Sequence, residues 1–185
     1  MAGLKFVVFI LVLMDQLFKL WAYNVTAMTD FNIIPGVFRI SYVENYGAAF
    51  NLFTGSRWLL IGVTGVLLLI IGYLVFGKKI TDETLLSGLS MILAGGLSNL
   101  IDRILRGYVV DCLDFTQLIN FPVFNFADVC VVMGAAMLIY YVLIEEPKKK
   151  KKAAAAVEEQ GKLSGTAEFF HWSRAGSEPC GCSRS

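Results

Sequence analysis

The chain has 185 residues, 56% of them hydrophobic and only 17% charged, with a formal net charge of +1. Such a balance excludes an average soluble domain and points to the membrane. The lone histidine, His171, lies in the polar tail, which argues against a His-ligated metal or a Ser-His-Asp triad and leaves carboxylates as the acid/base groups.

No metal or other cofactor is therefore expected, and no nucleic-acid partner. The net charge itself says little about partners, because Lys148–Lys152 stand together. The four cysteines, Cys112, Cys130, Cys180 and Cys182, form no paired framework.

Residues 6–23 (FVVFILVLMDQLFKLWAY) read as a first membrane helix. A cleavable signal peptide is the rival, but Asp15 and Lys19 interrupt the apolar run and no small-x-small site follows. These two residues are four apart and so share a helix face, where they can pair. A charge at bilayer centre costs about 2.5–3.5 kcal/mol on insertion scales, so a structural ion pair is favoured over direct chemistry. Residues 24–56 are too polar to span. Pro35-Gly36 is a turn signal, and Val37–Val43 (VFRISYV) has the composition of a strand. A small sheet-like element on the bilayer surface is expected between helices one and two.

Trp58–Gly77 is an uncharged run of about 20 residues, and at 1.5 Å per residue it spans a core of about 30 Å. Thr84–Ile101 forms the third helix, with Gly88, Ala94, Gly95, Gly96 and Ser98 as a small-residue face suited to close packing in lipid. Val129–Ile144 is the fourth, beginning a few residues earlier, near Phe124. The fold class is all-α membrane: four transmembrane helices with a small extracytoplasmic β-rich element between helices one and two.

Four spans place both termini on one side, together with Lys5, Lys78, Lys79 and Lys148–Lys152, while the other side carries only Arg39, Arg57, Arg103 and Arg106. By the positive-inside rule the termini are cytoplasmic. Residues 1–147 then make the membrane domain. Residues 148–185 are a basic segment that meets the anionic leaflet lipids, followed from Ala153 by a disordered tail.

The polar stretch Asn99–Asp128 lies between two apolar runs, and its aspartates are the candidates for chemistry. Two carboxylates close enough to share a proton let one act as base towards water while the other polarises a carbonyl. Asp111, on an outer loop, and Asp128, at the outer start of helix four, can reach the same depth. Asp102, expected to pair with Arg103, and Asp114 compete with them. Spacing alone leaves catalysis open against ion pairing, transport or helix capping by Asp128.

Five blocks occur in order across the four spans: Met14-Asp-Gln-Leu-Phe-Lys19, Asn45-Tyr-Gly-Ala-Ala-Phe50, Gly95-Gly-Leu-Ser-Asn-Leu-Ile-Asp-Arg103, Gly107-Tyr-Val-Val-Asp111 and Phe121-Pro-Val-Phe-Asn-Phe-Ala-Asp128. Over residues 6–145 the chain resembles the lipoprotein signal peptidase (signal peptidase II) family of bacterial membrane aspartyl peptidases. The resemblance implies an endopeptidase of the bacterial cytoplasmic membrane. It would remove the signal peptide of diacylglyceryl-modified prolipoproteins just before the lipidated cysteine, near the outer face. It implies Asp111 and Asp128 as the catalytic pair. Asn45, Asn99, Arg103 and Asn125 would line the site, with Asp15, Lys19 and Asp102 in support. Globomycin-class inhibitors would bind between the aspartates, and a monomer would suffice. The chain departs from the usual family pattern at Ser98, where glycine is common, and at Cys112, where an aromatic residue is common. A four-helix transporter is the rival from another class, but most charges here cluster at one face and make no ladder across the bilayer. A rhomboid-like serine peptidase is disfavoured because no Gly-x-Ser-Gly occurs.

Overall fold

The computed structural model describes residues 2–26, 30–47, 56–77 and 80–155. Lys78, Lys79, the Ala48–Phe50 part of one motif and the tail from residue 156 on, with His171, Cys180 and Cys182, lie outside the described residues. The elements run α1 (Ala2–Thr26), β1 (Phe31–Ile34), β2 (Phe38–Asn45), α2 (Arg57–Phe76), α3 (Glu83–Leu105), β3 (Val109–Asp114) and α4 (Phe126–Tyr140). Among the described residues four helical stretches can cross a membrane by length and composition: Gly3–Thr26, Arg57–Phe76, Glu83–Leu105 and Phe126–Ala155. The expected all-helical membrane architecture with a small sheet is thus what the chain forms.

Helix α2 has only Leu68 and Val75 buried, while Val63, Val66, Leu67, Leu69 and Ile70 point outward. An exposed face this apolar suits lipid rather than water. The inner faces of α1, α2 and α3 meet through Val8, Leu68, Val75, Leu89, Leu93 and Ala94, with Leu138 of α4 packed against them. Lipid tails are as apolar as these side chains, so close fit rather than expulsion of water holds the helices together. Asp82 caps α3 by accepting from the Thr84 and Leu85 amides at 3.1 and 3.2 Å.

The small-residue face of α3 lets α4 approach its backbone. A Cβ placed on Gly95 would run into the Ala127 carbonyl oxygen and come within 2.9 Å of Val131. Gly95→Ala is expected to destabilise the protein by about 1–3 kcal/mol, the usual range for overpacking, and to displace the N-terminus of α4. Thermal unfolding in detergent checks this, and a variant that melts with the parent protein would mean that the two helices do not meet there.

The sheet is antiparallel in the order β1-β2-β3. Pro35-Gly36 closes the first hairpin as expected: Gly36 has φ +76 and the Val37 amide donates to the Ile34 carbonyl at 3.0 Å, the arrangement of a type II turn. The third strand differs from expectation, since it comes from the segment after α3 and carries Asp111. Across β2 and β3, Val43 stands opposite Asp111 and Asn45 opposite Val109. Phe124 then bridges Leu113, and Phe38, Phe115 and Phe124 stack at 4.5 and 5.9 Å. These contacts hold the segment 115–125 against the sheet.

By its internal contacts the chain divides into two units, Met1–Ile139 and Tyr140–Ser185. In the second, helix continues past Pro147 to residue 155, beyond the expected end at Ile144. Proline has no N–H and its ring clashes with the carbonyl four residues back. Tyr141–Glu145 accordingly form a π turn in which the Glu146 amide reaches the Tyr141 carbonyl.

Candidate active site

Asn125 sits at the N-cap of α4 and Asp128 three residues later. The Asn125 Oδ1 accepts from the Asp128 amide at 2.9 Å, and an Asp128 carboxylate oxygen accepts from the Asn125 amide at 3.1 Å. The exchange is that of a capping box, with Asn and Asp in place of the commoner Ser and Glu. Asp128 is thus held at the first turn of α4 but is not itself the N-cap. The Asn125 side chain has one more donor, and its Nδ2 reaches Asp111 Oδ1 at 2.7 Å. A single buried amide therefore ties the two aspartates together.

Each carboxylate has a second asparagine. Asp111 Oδ2 accepts from Asn45 at 2.9 Å across the β2–β3 ladder, and Asp128 Oδ1 accepts from Asn99 of α3 at 2.8 Å. Both aspartates line one cavity of about 360 Å3, together with Asn45, Asn99, Arg103 and the valines Val109, Val131 and Val132, beneath Phe121-Pro122-Val123. Asp111 is only 3% exposed. Burial, with the Asp128 charge acting in the same direction and the two asparagine donors opposing it, pushes its carboxyl up from 3.8 to about 6. Arg103 donates to the Gly47 carbonyl at 2.9 Å and to Asn99 O at 3.4 Å, so it anchors the loop after β2.

Behind the pair lies a buried polar cluster. Lys19 Nζ contacts Asp15 at 2.7 Å, Asp102 at 2.8 Å and Asn99 Oδ1 at 3.0 Å. Asp15 is paired with Lys19 as expected, and its other oxygen accepts from the Ala127 amide at 2.8 Å, so α1 caps α4. Asp102 departs from expectation: its partners are Lys19 and Arg106, not Arg103. Asp102 and Arg106 are four apart on α3, which puts them on one helix face, whereas adjacent residues diverge. Sequence reasoning passed over that spacing. It also gave no role to Gln16, which donates to Ser98 and Asp102 at 2.9 and 3.0 Å, or to Ser98, which donates to Asp15 at 2.6 Å. Only the departure at Ser98 marked that position. Arg57, read only for its charge, caps the end of α3 through the Arg103 and Ile104 carbonyls.

Asp114 is not brought to the cavity. It faces Arg39 at 2.6 Å, Ser41 at 3.3 Å and the Thr116 amide at 2.8 Å. Burial alone would raise its carboxyl, but Thr116 and Arg39 hold it below the ordinary value. Cys112 is fully buried in a small cluster with Ala22 and Ile40, and burial pushes its thiol up to about 12. It is a packing residue and no nucleophile. Among the described residues no group of His, Cys, Asp and Glu is placed to hold a metal ion.

The chain is similar to known proteins over most of its length. The family model for signal peptidase II matches residues 7–144. The lipoprotein signal peptidase of Nostoc sp. is 44% identical over 131 residues, covering 68% of this chain and 80% of the relative. That of Lactococcus lactis subsp. lactis is 38% identical over 121 residues, covering 65% and 79%. Two bacterial membrane enzymes solved by the in meso method share the fold. One has TM-score 0.72 at 27% identity, over 80% of this chain and 92% of that one; the other has 0.67 at 27% identity, over 78% and 94%. With four apolar helices, a carboxylate pair in a shared cavity and this match along the chain, the protein belongs to the signal peptidase II family.

Proposed function

We propose that Asp111 and Asp128 are the catalytic pair of this membrane peptidase and that its substrates are diacylglyceryl-modified prolipoproteins, cleaved just before the lipidated cysteine. The observation that carries the reading is Asn125, a buried residue whose side-chain amide donates to the Asp111 carboxylate and whose backbone amide donates to the Asp128 carboxylate, while both carboxylates line a common cavity. Among the described residues the charged groups lining that cavity are two carboxylates and one guanidinium, Arg103, and a single shared proton brings their charge to zero.

In the proposed reaction Asp111 carries that proton and Asp128 is ionised. Asp128 takes a proton from water as the oxygen attacks the scissile carbonyl, and Asp111 donates to the carbonyl oxygen. The pair titrates as a unit. The substrate's apolar signal segment lies among the valines of α4 and its acyl chains stay in the bilayer, so the membrane supplies part of the positioning. Globomycin-class inhibitors occupy the same cavity between the aspartates. Asn45, Asn99, Arg103 and Asn125 line the site, while Asp15, Lys19 and Asp102 hold the scaffold behind it. The enzyme works as a monomer in the bacterial cytoplasmic membrane with both termini in the cytoplasm and the carboxylates near the outer face. Residues 1–147 are the peptidase domain and 148–185 a tail whose lysines meet anionic lipid.

The test pairs a lipidated with a non-lipidated prolipoprotein and follows cleavage by the purified protein. Only the lipidated one is expected to be cut, and globomycin is expected to block it. Equal cleavage of both, or ion flux with no cleavage, overturns the reading. The pH profile adds a sign. The proton on Asp111 is needed, so kcat/KM is expected to fall as pH rises past about 6. The Asn45 hydrogen bond lowers that value, so Asn45→Ala is expected to move the alkaline limb to higher pH.

A further inference from the structure

A second cavity begins where the first one ends. It has a volume of about 590 Å3 and shares Asn45, Asp111 and the Phe121-Pro122-Val123 stretch with the first, but its other polar walls are Glu44 of β2 and Thr116 and Asn120 of the segment after β3. The two cavities differ in chemistry. The first is walled by valines of α4 and carries Arg103. The second carries Glu44 and, among the described residues, no cation. The Tyr46 hydroxyl donates to Glu44 Oε2 at 2.6 Å, which fixes the carboxylate. Its other oxygen and the Asn120 amide make no hydrogen bond among the described residues.

We propose that this second cavity receives the residues that follow the scissile bond, and that Glu44 makes it favour basic over acidic residues there. The inference rests on the dyad reading above. An apolar signal segment matches the first cavity, which takes Val131 and Val132, with Asn99, Arg103 and Asp128, from the spans. The chain beyond the scissile bond must leave the membrane, and on the far side of Asp111 the walls come from β2 and residues 116–123, none of which lies in a span. Asp111 stands at the junction, where a scissile carbonyl has to be. A cation placed beyond it faces Glu44 with no competing positive charge among the described residues of the cavity wall, whereas an acidic residue meets both Glu44 and the carboxylate pair. One partly exposed ion pair is worth enough to change selectivity by roughly 2- to 5-fold.

The experiment uses the full-length protein in nanodiscs of zwitterionic lipid, so that the bilayer adds no charge. Three lipidated prolipoproteins differ only at the second and third positions after the cleavage point, carrying Lys-Lys, Ser-Ser or Asp-Asp. The parent enzyme is expected to show a kcat/KM ratio of Lys-Lys to Asp-Asp above one, by roughly 2- to 5-fold, shrinking as salt is added. Glu44→Gln is expected to bring the ratio towards one, and Glu44→Lys below one. Asn120→Lys, on an exposed segment outside the sheet, is expected to shift it the same way and serves if Glu44→Lys does not fold. A parent ratio of one, or a ratio unchanged by both lysine variants, overturns the proposal. Failure of the dyad reading looks different: Asp111→Asn cleaves, or the parent enzyme cuts none of the three substrates.

Discussion

Asp111→Asn and Asp128→Asn are each expected to lower kcat by about 10³-fold or more, within the range that general acid–base groups contribute, while the protein still inserts and folds. The reason differs for the two. An amide at position 128 cannot take the proton of the attacking water. An amide at 111 cannot give a proton to the carbonyl oxygen and also presents a donor to Asn45 or Asn125, both of which donate there now.

Stability separates chemistry from structure at Asp111. Its carboxyl is raised from 3.8 to about 6 by burial, so the unfolded chain releases this proton first as pH rises. The native state loses stability between those two values and keeps a deficit of about 3 kcal/mol above them. Removing the charge relieves that deficit, although it disturbs one asparagine contact. Asp111→Asn is therefore expected to melt no lower than the parent at pH 7 while being inactive. Asp114→Asn is the control, because Asp114 serves Arg39, Ser41 and the Thr116 turn. It is expected to keep activity and to lose some thermal stability. Full activity in either Asp111→Asn or Asp128→Asn, or inactivity of a folded Asp114→Asn, would sink the assignment.

The helices were legible because each is long and apolar. The carboxylates stood out as buried charges in an apolar chain, and the ordered motifs narrowed four aspartates to two. The third strand was not legible. Val109–Asp114 is buried on both faces, so it lacks the period-two alternation that marks a strand. It also contains two aspartates, which strands disfavour. Read as a loop, it left Asn45 without a reason to meet Asp111; as a strand opposite β2, it makes their contact a matter of register. The capping exchange between Asn125 and Asp128 was half visible. Asp128 was a candidate cap, yet the cap is Asn125 and Asp128 is its reciprocal partner. The continuation of helix beyond Pro147 was hidden because proline ordinarily marks an end, and a π turn absorbs it instead.

Lys19→Met is expected to be the most destabilising single change in the membrane domain. Lys19 is fully buried and holds Asp15 and Asp102, whose side chains are 1% and 0% exposed. A surface pair of this kind is worth at most about 1 kcal/mol. Here removal of the cation leaves two carboxylates in a place that water does not reach, and breaking a buried pair from one side typically costs about 3–5 kcal/mol. Arg106 still contacts Asp102, but among the described residues no other cation pairs with Asp15. Asp15 can keep its bonds from Ser98 and Ala127, which suit its charge but do not balance it. The double variant Asp15→Asn with Lys19→Met is therefore expected to lose less stability than the sum of its single variants, the signature of two groups that act as one unit. Thermal unfolding in detergent measures the cycle, and additive losses would mean that the pair is incidental. Function is expected to follow through Asn99. Lys19 binds its oxygen and thereby turns its amide nitrogen towards Asp128. Where Lys19→Met still folds, Asn99 is free to turn over and Asp128 loses a donor. The expected result is a fall in kcat larger than the change in KM, even at temperatures well below the melting transition.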